Sequence, residues 1–331
     1  MITICIITYN RSNYLEGLLK NLLPIKRDRF FKIHIFDNAS TDNTRKIYLK
    51  YNKIFKYLNY SKKNKNLGTA KNILSAFKKT NSKFIWIFGD DDRINIKGLI
   101  LIKKILSKNN ENLPGFTINC YYKNKIDNYD LTREISKNIS LSNFNVELNL
   151  SKLGQISSQI FNLELIKKNN LLYKLDTKKI YPHLEIWRRT YNLNKNWKFY
   201  QNKIVFILRH QITYSFKKNN KALEGFKWRN KIKLFNFLKF RLKKEVNEYL
   251  GCIDKLLIDN NQKNKANNNI FVKNLRPWII ENLKNGIKID LKIKETINRK
   301  INFKNYIFFN LLINMPRYLL ILLIKFKRIW I

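Results

Sequence analysis

Three consecutive carboxylates, Asp90-Asp91-Asp92, follow Gly89 at the end of the apolar run Phe84-Ile85-Trp86-Ile87-Phe88. The chain carries 66 Lys and Arg against 23 Asp and Glu, so acidic residues are scarce and their clustering is informative. Adjacent carboxylates raise each other's pKa unless a cation stands among them, and a divalent ion does this best. Oxygen donors alone suit a hard ion such as Mg2+ or Mn2+, which shares its shell with water and substrate phosphates. The triplet therefore points to a divalent cation and a nucleotide substrate, against the plainer alternative of an Asp-rich turn at a strand end.

Three more polar clusters follow β-like runs in the same way: Thr8-Tyr9-Asn10-Arg11, Asp37-Asn38-Ala39-Ser40-Thr41-Asp42, and Asn66-Leu67-Gly68 with Lys71-Asn72. The runs ahead of them predict strands at Ile2–Tyr9, Phe31–Phe36, Phe55–Tyr60 and Phe84–Phe88. Between them lie amphipathic stretches. Ser12 or Asn13 caps a helix to Leu23, with Glu16 placed for a capping box with Asn13. Further helices follow Asp42 and Gly68 and span Ile96–Leu106, and Gly115–Tyr122 returns as a strand. This alternation predicts an α/β domain with a mostly parallel sheet flanked by helices. In such sheets ligands bind beyond the carboxyl ends of the strands, where all four clusters would converge.

Residues 126–218 are expected to form the second half of that domain, after a first half at 1–125. Lys123–Asn149 is polar and irregular, Ser157–Asn170 suggests a strand then a helix, Pro182–Tyr191 a helix and Lys203–His210 a strand. From 219 to 331 the chain becomes helical and strongly basic, with an Asn/Lys-rich linker expected at Asn260–Asn269. The apolar run Tyr306–Ile324 is interrupted by Asn310, Asn314, Pro316 and Arg317, which argues against a membrane span. Two short helices hinged at Pro316 and lying in a membrane interface suit it, with Lys325, Lys327 and Arg328 toward anionic head groups.

A hydrophobic fraction of 44% excludes a disordered chain, and a net charge of +43 calls for an acidic partner: nucleic acid, anionic lipid or a phosphorylated substrate. Cys5, Cys120 and Cys252 have no CxxC or zinc spacing, which suits a reducing cytoplasm. The N-terminal segment lacks the features of a signal peptide.

In order, spacing and flanking strands the four clusters resemble the family 2 glycosyltransferases of the GT-A, nucleotide-diphospho-sugar transferase fold. The resemblance is close over residues 1–125 and loose over 150–215. It implies a nucleotide-diphosphate sugar donor, a divalent cation (Mn2+ or Mg2+) and transfer with inversion to a hydroxyl of a growing cell-surface glycan. It implies roles as well. Thr8, Tyr9 and Asn10 line the nucleotide pocket, Tyr9 offering its ring to the base, and Asp37 accepts from the base. Arg11 and Lys71 approach the diphosphate, with Asn66 and Gly68 at a helix start beside it. Asp90 and Asp91 meet ribose or sugar, and Asp92, with Asp90, holds the metal.

The family commonly carries a Glu-Asp pair before a Trp, with that Asp as general base. Here the stretch reads Tyr181-Pro182-His183-Leu184-Glu185-Ile186-Trp187, so His183 stands in the Asp position and Glu185 is the second candidate base. His210 is similar to a late residue that approaches the diphosphate or metal in some members. His34, mid-strand, is assigned no role. The resemblance places the protein on the inner face of the cytoplasmic membrane, with a glycan or lipid-linked glycan acceptor. Two other readings are weaker. A nucleic-acid-binding protein should show a recognisable binding motif, and a pyrophosphorylase-like enzyme should carry a Gly-rich basic loop after its first strand.

Overall fold

The computed structural model describes residues 1–108, 113–136, 141–208 and 231–325, with the side chains of 129, 231–237 and 322–325 outside that description. Two compact units result, 1–144 with 152–222, and 145–151 with 223–331.

Among the described residues the first unit is built on one sheet of nine strands: β1 (Ile2–Thr8), β2 (Phe31–Asp37), β3 (Leu58–Lys62), β4 (Phe84–Gly89), β5 (Arg93–Ile94), β6 (Gly115–Lys123), β7 (Leu141–Asn143), β8 (Gln159–Asn162) and β9 (Lys198–Leu208). The order is β3-β2-β1-β4-β8-β6-β9-β5, with β7 also on β9. Strands β3, β2, β1 and β4 are parallel neighbours. Such strands need both faces covered, and β1 and β4 are accordingly near-continuous runs of buried residues. The parallel character then stops. Strand β8 is antiparallel to both β4 and β6, and β9 is parallel to β6 but antiparallel to β5 and β7, so the sheet as a whole is mixed.

Register brings the strand ends together. Thr8 pairs with Asp37 across β1 and β2, and Ile7 pairs with Gly89 across β1 and β4. The three clusters that follow these strands must therefore start on one edge of the sheet.

Several local expectations change. The third strand starts at Leu58 rather than Phe55, because Phe55 closes the preceding helix against Tyr51 and is buried in the core. The capping box at Asn13 and Glu16 does not form. Arg11 takes the N-cap position of the helix Ser12–Asn21, and Glu16 turns to Lys50 instead, 2.7 Å away. The last strand of this unit begins at Lys198, earlier than Lys203.

In the second unit the expected linker at 260–269 is a helix, Asn260–Ile270. The Asp259 side chain caps it by accepting from the Gln262 amide, and Ala266 and Ile270, one turn apart, are buried. This helix continues through a π-helical turn, Phe271–Leu275, into Arg276–Lys284. The C-terminal apolar run forms two helices, Phe303–Asn314 and Arg317–Lys325, separated at Pro316. Among the described residues no helix is long and apolar enough to cross a membrane.

Candidate active site

At the tip of β1 the chain turns sharply. Asn10 adopts φ +52°, a left-handed conformation that Asn tolerates better than other non-glycine residues. Its Oδ1 accepts from the Thr41 amide at 2.7 Å, and its own amide donates to Ser40 Oγ at 2.9 Å. The β1 and β2 loops are thereby stitched together. Tyr9, beside this turn, is 41% exposed, so its ring is available to a ligand.

Thr8 and Arg11 reach from the same turn to the carboxylate triplet. Thr8 Oγ1 donates to Asp90 Oδ2 at 2.7 Å, Arg11 Nε lies 3.3 Å from Asp90 Oδ1, and Arg11 Nη2 donates to Asp91 Oδ2 at 2.6 Å. Burial works against the Arg11 charge, and Asp90 and Asp91 outweigh it, so its pKa stands above the ordinary value. Asp90 is almost wholly buried. Desolvation pushes its pKa up to about 7 despite Arg11.

Asp92 is held differently. Its Oδ2 accepts from Ser157 Oγ at 2.6 Å and its Oδ1 from the Leu208 amide at 3.2 Å, so β9 and the segment before β8 both converge on it. Burial first, and the neighbouring Asp91 next, raise its pKa well above the usual carboxylate range. Beneath the triplet Arg93 donates from Nη1 to the carbonyls of Asp92 and Asp90, at 2.7 and 3.1 Å, and from Nη2 to the carbonyl of Tyr14 at 3.2 Å. The result is a loop fixed on three sides that presents carboxylates with an unusual affinity for protons.

The remaining clusters border this centre. Gly68, at φ +81°, is the N-cap of the helix Thr69–Lys79, and its amide donates to Asn66 Oδ1 at 2.9 Å. Asn66 also accepts from Asn38 Nδ2 at 2.7 Å, while Asn38 Oδ1 accepts from the Leu67 amide at 3.0 Å. Lys71 is exposed on the first turn of that helix. Asp37 is less open than expected. It is fully buried, and its two oxygens accept from the Ser40 amide at 2.7 Å and from Tyr60 Oη. In this arrangement each Asp37 oxygen already accepts one hydrogen bond, and Asp37 organises the loop.

The two base candidates do not join the carboxylate loop. Glu185 is the hub of an ion-pair cluster, 2.6 Å from Arg188, 3.1 Å from Arg189 and 3.2 Å from Lys179, and those cations hold its pKa near 2 against the opposing effect of burial. A carboxylate so stabilised is a poor proton acceptor, which counts against Glu185 as the base. His183 is buried, its Nε2 lies 3.0 Å from the Leu153 carbonyl, and burial lowers its pKa to about 4. A nitrogen facing a carbonyl carries the proton, so Nδ1 is the lone-pair nitrogen, and it has no partner among the described residues. His210 lies outside the described residues. His34 stacks on Phe36, 4.1 Å between centroids, and bonds Ser61.

Ser157, Arg93 and Tyr60 carry much of this geometry, and none of them belongs to the four clusters that the sequence singles out. Among the described residues no group of three or more His, Cys, Asp or Glu is arranged to hold a metal ion.

The model of the glycosyl transferase family 2 matches residues 3–171, half of the chain, and spans every strand-end cluster described above. The chain belongs to this family. Abequosyltransferase RfbV of Salmonella typhimurium is 33% identical to it over 108 residues, a stretch that spans 32% of this chain and 32% of that relative. Among solved structures, TarS 1-349 of S. aureus in complex with UDP superposes with a TM-score of 0.60 at 15% identity, covering 94% of this chain and 86% of the other. Mannosyltransferase PcManGT of Pyrobaculum calidifontis, in complex with GDP-Man and Mn2+, gives a TM-score of 0.54 at 13% identity, covering 99% and 87%. At these identities the likeness shows the fold, which is GT-A.

Proposed function

We propose that this glycosyltransferase moves a sugar, with inversion, from a nucleoside-diphosphate donor to a hydroxyl of a growing cell-surface glycan, with Asp92 and Asp90 holding a divalent cation. The observation that carries the reading is the convergence of Thr8, Arg11, Asp90, Asp91 and Asp92 on one edge of the sheet, next to exposed Tyr9.

The residues fit such an ion through their chemistry. Asp90 and Asp92 are hard oxygen donors, and burial, the main cause of their raised pKa values, leaves their charge poorly solvated unless a cation meets it. Two carboxylates make an incomplete shell by themselves, as suits an ion that also takes phosphate oxygens and water. When bound, the ion would stabilise negative charge on the departing nucleoside diphosphate. Arg11, tied to Asp90 and Asp91, and exposed Lys71 supply further positive charge for the diphosphate. The helix start at Gly68 directs backbone amides the same way. Tyr9 stacks on the base. Ser157 and the Leu208 amide keep Asp92 oriented.

By the resemblance alone, proton removal from the acceptor hydroxyl is assigned to His183, whose Nδ1 is buried and would have to be uncovered for an acceptor to reach it. Its Nε2–H on the Leu153 carbonyl fixes the tautomer with Nδ1 as acceptor. The abequosyltransferase relative supports a surface-glycan setting, and the UDP bound to TarS and the GDP-Man bound to PcManGT support UDP- or GDP-linked donors. A glycan acceptor carried on lipid would place the enzyme against the inner face of the cytoplasmic membrane, in keeping with the net charge of +43.

Calorimetric titration of UDP, GDP, CDP and dTDP, with and without Mn2+, tests the reading on wild type and Asp92→Ala. One diphosphate is expected to bind in a Mn2+-dependent way and to lose that dependence in the variant. No binding of any of the four would overturn the donor assignment.

A further inference from the structure

The helix Phe303–Asn314 is apolar on both faces. Phe309 and Leu312 are buried, whereas Phe303, Ile307 and Leu311, successive residues one turn apart, are 77%, 42% and 64% exposed. Tyr306 flanks this stripe at 42%, and beyond Pro316 the next helix adds Tyr318 at 69% and Leu319 at 39%. A helix that meets water on its outer face is polar there. An outward stripe of aromatic and aliphatic side chains at consecutive turns signals a surface that is covered in use.

Charge selects what covers it. From Thr296 to Ile331 the sequence holds seven Lys and Arg and no Asp or Glu. A second copy of the chain would set this segment against an equally positive one, so self-association through it is opposed. An anionic bilayer offers both complements at once: acyl chains for Phe303, Ile307 and Leu311, and phosphate head groups for neighbouring Lys304 and for Arg299, an exposed side chain that also meets Glu295 at 3.7 Å. Tyr306 and Tyr318, amphipathic rings on the same surface, suit the headgroup boundary. Each described helix here is too short or too polar to span, so the geometry is that of a helix lying in the plane of the interface.

We propose that the Phe303–Ile307–Leu311 face of this helix docks in-plane on an anionic lipid bilayer and holds the enzyme at the membrane. This deepens the membrane location within the proposed function and is independent of the donor chemistry.

The test is vesicle flotation of the full chain at physiological salt, with phosphatidylcholine alone or mixed with phosphatidylglycerol. Wild type is expected to float with the mixed vesicles and to stay behind with phosphatidylcholine. Phe303→Ser/Ile307→Ser/Leu311→Ser should weaken vesicle affinity at least tenfold with an unchanged melting curve, since all three side chains point outward. Arg299→Glu/Lys304→Glu should lose the preference for anionic lipid. The proposal is overturned if wild type does not float, if the triple variant floats as wild type does, or if sedimentation equilibrium shows a dimer that the triple variant abolishes. Nucleotide binding is read on the same samples. Its loss in wild type would count against the transferase chemistry and leave the vesicle result standing, whereas flotation failing with nucleotide binding intact would sink the docking face alone.

Discussion

Replacing Gly17 by Ala should destabilise this protein, although Gly→Ala inside a helix ordinarily stabilises by about 1 kcal/mol. Gly17 lies within the helix Ser12–Asn21, where propensity alone favours Ala. A Cβ at this position would sit 2.1 Å from Arg93 Nη2 and 3.1 Å from Arg93 Cζ, so the guanidinium must withdraw. It is bonded to the carbonyls of Asp90, Asp92 and Tyr14, and withdrawing would break at least two of these bonds. Hydrogen bonds from a charged donor contribute about 1.5–3 kcal/mol each, so losing two of the three costs roughly 3–6 kcal/mol. Set against the helix gain, the net loss is about 2–5 kcal/mol. Because two of those carbonyls belong to the carboxylate loop, donor-nucleotide affinity should fall as well, by about tenfold. Denaturant unfolding measures the first effect and calorimetry the second. The decisive control is the double-mutant cycle: with Arg93→Ala already in place, Gly17→Ala should revert to stabilising. If Gly17→Ala alone stabilises by about 1 kcal/mol and leaves nucleotide affinity unchanged, Arg93 does not clamp the loop and the reasoning is refuted.

Two further outcomes follow from the charges. The folded-state pKa values of Asp90, about 7, and of Asp92, higher than normal, exceed those of an unfolded chain. Their contribution to stability is therefore complete at pH below about 4 and is lost as pH rises through the folded values. Metal-free protein should melt at a lower temperature at pH 8 than at pH 5 on their account, with Mn2+ or Asp92→Asn recovering part of the difference; a difference that neither recovers would remove these carboxylates as its source. Glu185→Gln leaves Lys179, Arg188 and Arg189 facing a neutral amide and should cost about 3–5 kcal/mol of stability. His183→Asn, by contrast, should lower kcat while leaving the donor KM unchanged. A Glu185→Gln enzyme of normal stability but without turnover would return the base to Glu185.

The sequence made the donor half legible because its signals are local. An apolar run ending in Asn-Arg, Asp-Asn or Gly-Asp-Asp-Asp announces both a strand and what sits at its end, and parallel register places those ends together. Partners recruited from far along the chain were not legible. Ser157 reaches Asp92 from 65 residues away, and Leu208 reaches it from 116, through a serine and a backbone amide that carry no sequence signature. Asp37 and Glu185 show the same limit in reverse. Their types were visible, but Tyr60 and the cations around Glu185 decide what those carboxylates can do. At 260–269 composition misled, since a run of Asn and Lys looks like a linker until Asp259 is seen to cap it.

The antiparallel placement of β8 beside β4 bears on how the chain is made. As the polypeptide emerges from the ribosome, β1 finds β2 early and β4 by residue 89, but the other edge of β4 pairs only with Gln159–Asn162. At synthesis rates of about 5–20 residues per second, the edge of Phe84–Phe88 stays without its neighbour for roughly 4–15 s. An apolar strand left open that long can pair with another nascent chain. Slow translation across residues 90–160, or a shortage of chaperone capacity, should therefore lower the yield of folded protein more than changes in the final stability would suggest.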